Sequence, residues 1–169
     1  MNARIARPER RAAELTVVLV IIGLALGVTA APASAAPPWG ACGRSTPEDK
    51  IVRQFPAGIT LRCGGPIGSS DPRHGYRHIL ARHRTDFENM AFGTGTFQNW
   101  RDVADLSIET IANDPDVTVP VGGNQLCMSR VIFLNDRRTG QLVRQQIVRM
   151  FINATTRDVN TLHPHQRHC

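Results

Sequence analysis

Lysine is almost absent from this 169-residue chain: Lys50 is the only one, and every other cationic side chain is an arginine. Aromatic residues are also scarce, with Tyr76 as the single tyrosine, which leaves little surface on which successive nucleobases could stack. There is no Cys-x-x-Cys spacing and no His-Glu-x-x-His run, so the most recognisable zinc signatures are excluded. No cluster of carboxylates is available to hold Mg²⁺. Internal repeats are absent, and the only biased tract is the Ala/Pro-rich stretch around residues 32–38.

What is present begins with a segment to be set aside from fold reasoning. Arg4, Arg7, Arg10 and Arg11 precede an uncharged apolar run, Leu15 to Ala31, which leads to Ala33-Ser34-Ala35. A basic region, an apolar core and an Ala-x-Ala site describe a secretory signal peptide over residues 1–35. An uncleaved anchor is the rival reading, because ~20 apolar residues suffice to span a bilayer. The Ala/Pro-rich exit favours cleavage, hence an extracellular location with no stable membrane association afterwards. Residues 36–48, opening on Pro37-Pro38, read as a linker, and 49–169 as a single domain.

Beyond residue 35 there are sixteen basic and twelve acidic side chains, a mild excess, so local clustering says more than the total. A GC-rich genome would produce the same arginine bias, but it does not dictate where the arginines sit. Cys42, Cys63, Cys127 and Cys169 all follow the apolar segment, and an even count in an exported small domain reads as two disulfides. Of the three connectivities, Cys42–Cys63 with Cys127–Cys169 is favoured: the first pair brackets a hairpin and the second would pin the final residue.

The pattern of elements predicts an α+β fold. Residues 50–55 and 59–63 form two strands about a Pro56-Ala57-Gly58 turn, an N-terminal β-hairpin. Ser70-Asp71-Pro72 resembles a helix start, followed by a basic helix of about three turns. A second helix, capped at Thr96, runs to Asn113 with Trp100, Ala104, Ile108 and Ile111 at amphipathic spacing. Segments 126–134, 142–152 and 157–162, with short connections, make a C-terminal antiparallel β-meander.

Chemistry concentrates in the basic helix. From Arg73 to Arg84 the chain reads RHGYRHILARHR, with His74, His78 and His83 among arginines and no carboxylate. Arginine offers a permanently charged fork for phosphate, and histidine can exchange a proton near neutral pH. On a regular helix His74, His78 and Arg82 share one face. His83 lies about 140° round from His78, on the stripe of Ile79, Leu80 and Phe87. That puts His83 at the apolar boundary, where a hydrogen-bonded core imidazole is the plain alternative. His74, beside Gly75, reads as a surface residue at the helix start. Near the end, Thr161 and His163 are two apart and would share one face of a strand, while His165 and His168 read as a solvated tail.

Three stretches then form a pattern: Gly75-Tyr-Arg-His-Ile-Leu-Ala-Arg-His83, Gly95-Thr-Phe97 opening a helix, and Val159-Asn-Thr-Leu-His-Pro164. Their order resembles the exported toxin ribonucleases that tip bacterial contact-dependent growth inhibition systems. These include pancreatic-ribonuclease-like toxins and the barnase–EndoU–colicin–RelE superfamily. The resemblance covers roughly Gly64 to Pro164. Thr161 and Pro164 match a Thr-x-Tyr-Pro-like strand motif, with His163 where tyrosine is usual.

The resemblance implies cleavage of RNA by attack of the 2′-hydroxyl on its neighbouring phosphate. That reaction needs a base, an acid and cations for the developing charge, and no cofactor or metal. His83 and His78 are the leading base and acid candidates, with Thr161 and His163 completing the site. Arg82 is the electrostatic clamp, with Arg77 and Arg149 as further substrate-binding residues. Arg149 is preferred over Arg144 because the two lie on opposite strand faces by parity. RNA is the implied partner, alongside a cognate immunity protein. Two alternatives stand beside this: a zinc or copper protein using His74, His78 and His163 or His165, and a non-catalytic basic module binding nucleic acid, cell-wall polyanion or a protein.

Overall fold

The structure, a computed structural model, describes residues 39–92, 99–136 and 138–169. The expected signal peptide and Thr96 lie outside those residues. The fold is α+β, as the sequence pattern predicts: a hairpin, a long interrupted helix, a second helix, and an antiparallel sheet.

Strands β1 (Ile51–Gln54) and β2 (Thr60–Arg62) pair antiparallel about the Pro56–Gly58 turn, which the Phe55 N–H closes by donating to the Ile59 carbonyl at 2.8 Å. Cys42 and Cys63 are joined, with Cα atoms 5.5 Å apart. Residues 39–48, expected as part of a linker, instead pack into the domain. The Trp39 ring meets Tyr76 and Trp100 with centroids 5.6 and 5.8 Å away, and its indole N–H donates to Asp105 at 2.6 Å. Composition misled here because Pro and Gly mark irregular backbone, which need not be unpacked.

Two glycines set where the basic helix starts. Gly64 and Gly75 have positive φ (69° and 75°), and a Cβ on Gly75 would stand 2.8 Å from both the Arg62 carbonyl oxygen and the Gly64 Cα. Only glycine permits both the dihedral and the approach. The helix therefore begins at Gly75, with His74 extended before it, rather than at Ser70-Asp71-Pro72. It runs as α1 (Gly75–His78), a π-helical turn (Ile79–His83) and α2 (Arg84–Ala91). Helix α3 (Trp100–Asn113) is capped by Asn99 in a reciprocal arrangement with Asp102.

The sheet has four strands in the order β3-β4-β5-β6: β3 (Val117–Gly122), β4 (Gln125–Asn135), β5 (Leu142–Asn153) and β6 (Val159–His165). β3, which holds Pro120 and Gly122, falls where the sequence pattern specifies no element. Both are tolerated because β3 is a half-exposed edge strand. Register assigns the faces. Met128, Met150 and Leu162 stand in one cross-strand row and enter the core with Ile79, Phe87, Met90, Ile108 and Ile111. The opposite face carries the row Ser129–Arg149–His163 and, beside it, Cys127–Phe151–Thr161. Cys127 is joined to Cys169, the second favoured pair. Disulfides of this kind suit an oxidising compartment, and among the described residues no helix is long and apolar enough to cross a membrane.

Candidate active site

The π-helical turn re-phases the basic helix. Hydrogen bonding from residue i to i+5 brings side chains five apart towards one face, which a regular α-helix does not. His83 sits where the helix re-forms, with φ −123° and ψ 2°, outside helical values. Its ring consequently stands against His78, centroids 5.4 Å apart, rather than on the Ile79–Phe87 stripe. This corrects the expectation of two separate helix faces. Ile79 and Phe87 stay in the core, while His83 is half-exposed.

Strand β6 supplies the other half. Thr161 and His163 share a face, as their spacing predicts, and His165 continues it because β6 extends past Leu162. β6 is an edge strand, so the helical segment can reach His163. His83 stacks on it with centroids 5.0 Å apart and planes at 30°. Phe151 stacks on His163 at 5.8 Å, and His165 stands 6.1 Å away. Thus His78, His83, His163 and His165 form a chain of imidazoles across the helix and strand.

Neighbouring acceptors assign the protons. The His78 Nδ1 lies 2.8 Å from the Pro72 carbonyl oxygen, which can only accept, so Nδ1–H donates. The His83 Nδ1 donates in the same way to Asp86, at 3.0 Å. A carboxylate behind a histidine orients the ring and favours its protonated form. Burial nonetheless holds the His83 pKa below its ordinary value, opposed by the Asp86 hydrogen bond and assisted by His78. Burial, followed by repulsion from His83, His165 and Arg149, lowers His163 to about 4, so this imidazole is neutral at pH 7. The Oγ1 of Thr161 and Nδ1 of His163 are buried with no hydrogen-bond partner among the described residues. Such orphaned polar atoms are uncommon in folded proteins and concentrate where function requires them.

The arginines divide differently. Arg77, expected to bind substrate, is buried and donates to the carbonyls of Gly64, Gly43 and Thr46. It holds the hairpin to the helix and is unavailable to a ligand. Arg82 is exposed and bridges to Asp71 at 2.6 Å. Arg149 shares the His163 face, as parity argued, and donates to the carbonyls of Arg167 and His168. Arg144 is turned to the helix side, donating to the Asn89 carbonyl.

Asp86 and Phe151 went unseen in the sequence, and His165, expected in a solvated tail, lies instead at the end of β6. Asp86 was legible as the i+3 neighbour of His83. His165 would have followed from carrying strand parity three residues further. Phe151 had no signal, because its place beside His163 depends on the β5–β6 register. Among the described residues, no three or more His, Cys, Asp or Glu side chains are grouped to hold a metal ion. The search for similar proteins found no matching family model, curated protein or solved structure.

Proposed function

We propose that this chain is a secreted, metal-independent endoribonuclease. The observation that carries the reading is the stacked pair of His83 and His163, one backed by a carboxylate and the other held neutral. A phosphodiester transfer needs one imidazole without its proton and one with it.

In this reading the neutral His163 accepts the proton of the ribose 2′-hydroxyl as its oxygen attacks the adjacent phosphorus. The P–O5′ bond breaks, and the His83 imidazolium, supported by Asp86, protonates the departing 5′-oxygen. The products are a 2′,3′-cyclic phosphate and a 5′-hydroxyl. Arg149 contributes positive charge beside the pentavalent phosphorus, where developing charge is worth stabilising. Its acceptors are neutral carbonyls, so its charge is not cancelled. His78 flanks His83, and Thr161 lies on the His163 face with its hydroxyl buried. Arg82 could reach phosphate by exchanging Asp71 for it. RNA is the proposed partner, with a cognate immunity protein as a second, protective one. The apolar leader and the two disulfides support export.

The test is incubation of the disulfide-intact protein with total RNA and EDTA, beside His83→Ala and His163→Ala. The expected result is EDTA-resistant cleavage that each substitution lowers by ~10²-fold or more. Cleavage products should carry cyclic phosphate termini. Binding of RNA with no cleavage under any condition would replace this reading with a non-catalytic basic module.

A further inference from the structure

Residues 166–169 have no regular secondary structure, yet they lie across the sheet face that carries the site. Three attachments hold them there. Cys169 is bonded to Cys127, the Cys169 N–H donates to the Ser129 Oγ at 3.2 Å, and the His168 Nδ1 lies 3.0 Å from the same oxygen. Cys127 and Ser129 are neighbours along one face of β4, in the rows that end at Thr161 and His163. Between Ser129 and His163 stands Arg149, and its Nε and Nη2 donate to the carbonyls of Arg167 and His168.

We infer that residues 166–169 form a disulfide-held strap that positions Arg149 for substrate phosphate beside His163, so that opening Cys127–Cys169 disarms the site while the fold stands. The inference rests on the ribonuclease reading for its substrate, but its structural part can be tested without it.

The two carbonyls fix the plane of the guanidinium and take up two of its five N–H groups. No hydrogen bond engages Nη1 among the described residues, so an Nη1–Nη2 edge remains for a bidentate phosphate contact. The strap owes its order to the covalent link. Its hydrogen bonds, two of them charge-assisted from Arg149, work against the entropy of ordering four irregular residues, a cost that the covalent link lowers. Loss of the link should therefore free Arg149 to move. The core would survive, because Cys127 lies outside the buried cluster that joins sheet and helices, and Cys42–Cys63 is separate.

The chemical step is reduction by a dithiol. Its two sulfurs give up two electrons and two protons and become a disulfide, the Cys127–Cys169 bond breaks, and each cysteine becomes a thiol. Such a protein would be silent in a reducing compartment and become active after oxidation outside it.

The charged and titratable groups facing His163 are His83 and Asp86 from the helical segment, His165 from its own strand and Arg149 from β5. Of these, Arg149 and His165 touch the strap, His165 through its Nδ1, which accepts from the Arg167 N–H at 3.1 Å. Freeing Arg149 removes its repulsion, and opening the strap lets water towards a ring whose burial is the largest cause of its lowered pKa, so the His163 pKa should rise.

The experiment compares the wild-type chain with Cys127→Ser/Cys169→Ser and with Ser129→Ala, which keeps the disulfide. Two quantities are read: kcat and KM on a short RNA, and titration of the His163 imidazole by NMR. The double variant should keep its fold, lose kcat/KM on the order of 10–100-fold, and show His163 titrating at higher pH. Ser129→Ala should give a smaller change in the same direction. A folded double variant with unchanged kcat/KM and unchanged His163 titration overturns the strap. If the double variant fails to fold, the fold does not stand without the link and that part of the inference is lost. Ser129→Ala then decides the positioning role alone. If wild-type protein cleaves no RNA but the His163 shift appears, the ribonuclease reading fails and the strap survives.

Discussion

The two ends of one basic helical segment put the same kinds of side chain to opposite uses. At its start, Arg77 turns inward and satisfies three backbone carbonyls, and Tyr76 meets Trp39 edge-to-face and stacks on Trp100. At its end, His83 meets His163 across an edge strand, near two buried polar atoms that have no hydrogen-bond partner among the described residues. The difference teaches that a cationic or imidazole side chain cannot be read by type. Buried polar groups that are satisfied hold structure together, and those left unsatisfied mark where the fold has given up stability for something else.

The comparison breaks if substitutions at the two ends behave alike. The largest contrast should come from His83→Ala against Arg77→Met. The first should lower RNA cleavage by ~10²–10⁴-fold with little change in thermal stability. The second should lower stability by about 3 kcal/mol, because buried carbonyls lose a charged donor, while activity per folded molecule persists. Denaturant unfolding beside single-substrate kinetics separates them.

Gly75→Ala sharpens the same boundary. It places a Cβ against the Arg62 carbonyl in a left-handed backbone region that strains alanine and should cost about 2 kcal/mol. Because Gly75 docks the helix that carries His83, some activity should go with it. At the other end, Asp86→Asn removes the carboxylate behind His83. It should reduce kcat by roughly 10-fold and leave unfolding nearly unchanged. A loss of stability matching that of Arg77→Met would show Asp86 to be structural.

The smallest effect is on stability against pH. The folded chain holds His163 near 4, below its ordinary 6.5, so the unfolded chain takes up this proton first on acidification. The stabilisation from a neutral His163 is complete above 6.5 and is lost as pH falls from 6.5 towards 4, with His83 acting in the same direction. Melting temperatures across that interval should fall, and less steeply in His163→Phe. The same lowering places the maximum of kcat/KM below pH 6.5. A maximum at alkaline pH would contradict the assigned base and acid.

Much of the fold was legible because its signals are local. The Pro56-Ala57-Gly58 turn, the amphipathic spacing of Trp100 to Ile111 and the short links between apolar strands each specify their own element. Strand parity put Thr161, His163 and Arg149 on common ground, since a period of two leaves no phase error over a few residues. Helix phase was less reliable. One π-helical turn moved His83 from the Ile79–Phe87 stripe to the side of His78. Nothing local in Ile79-Leu-Ala-Arg-His83 announces such a turn. Arg77 was misjudged because burial of a guanidinium depends on carbonyls from residues 43, 46 and 64, far away in sequence.

By itself, the sequence determined the α+β order of elements, the pool of imidazoles and arginines, and which side chains share a strand face. These follow from backbone periodicities and turn chemistry within a few residues of each position. The tertiary structure alone decided that His83 lies against His163, that Arg77 belongs to the framework, and that residues 166–169 run beside Arg149. Those outcomes depend on how the helical segment packs at the edge of β6 and on the β4–β5–β6 register, so they arise only when burial of the shared core draws distant segments together.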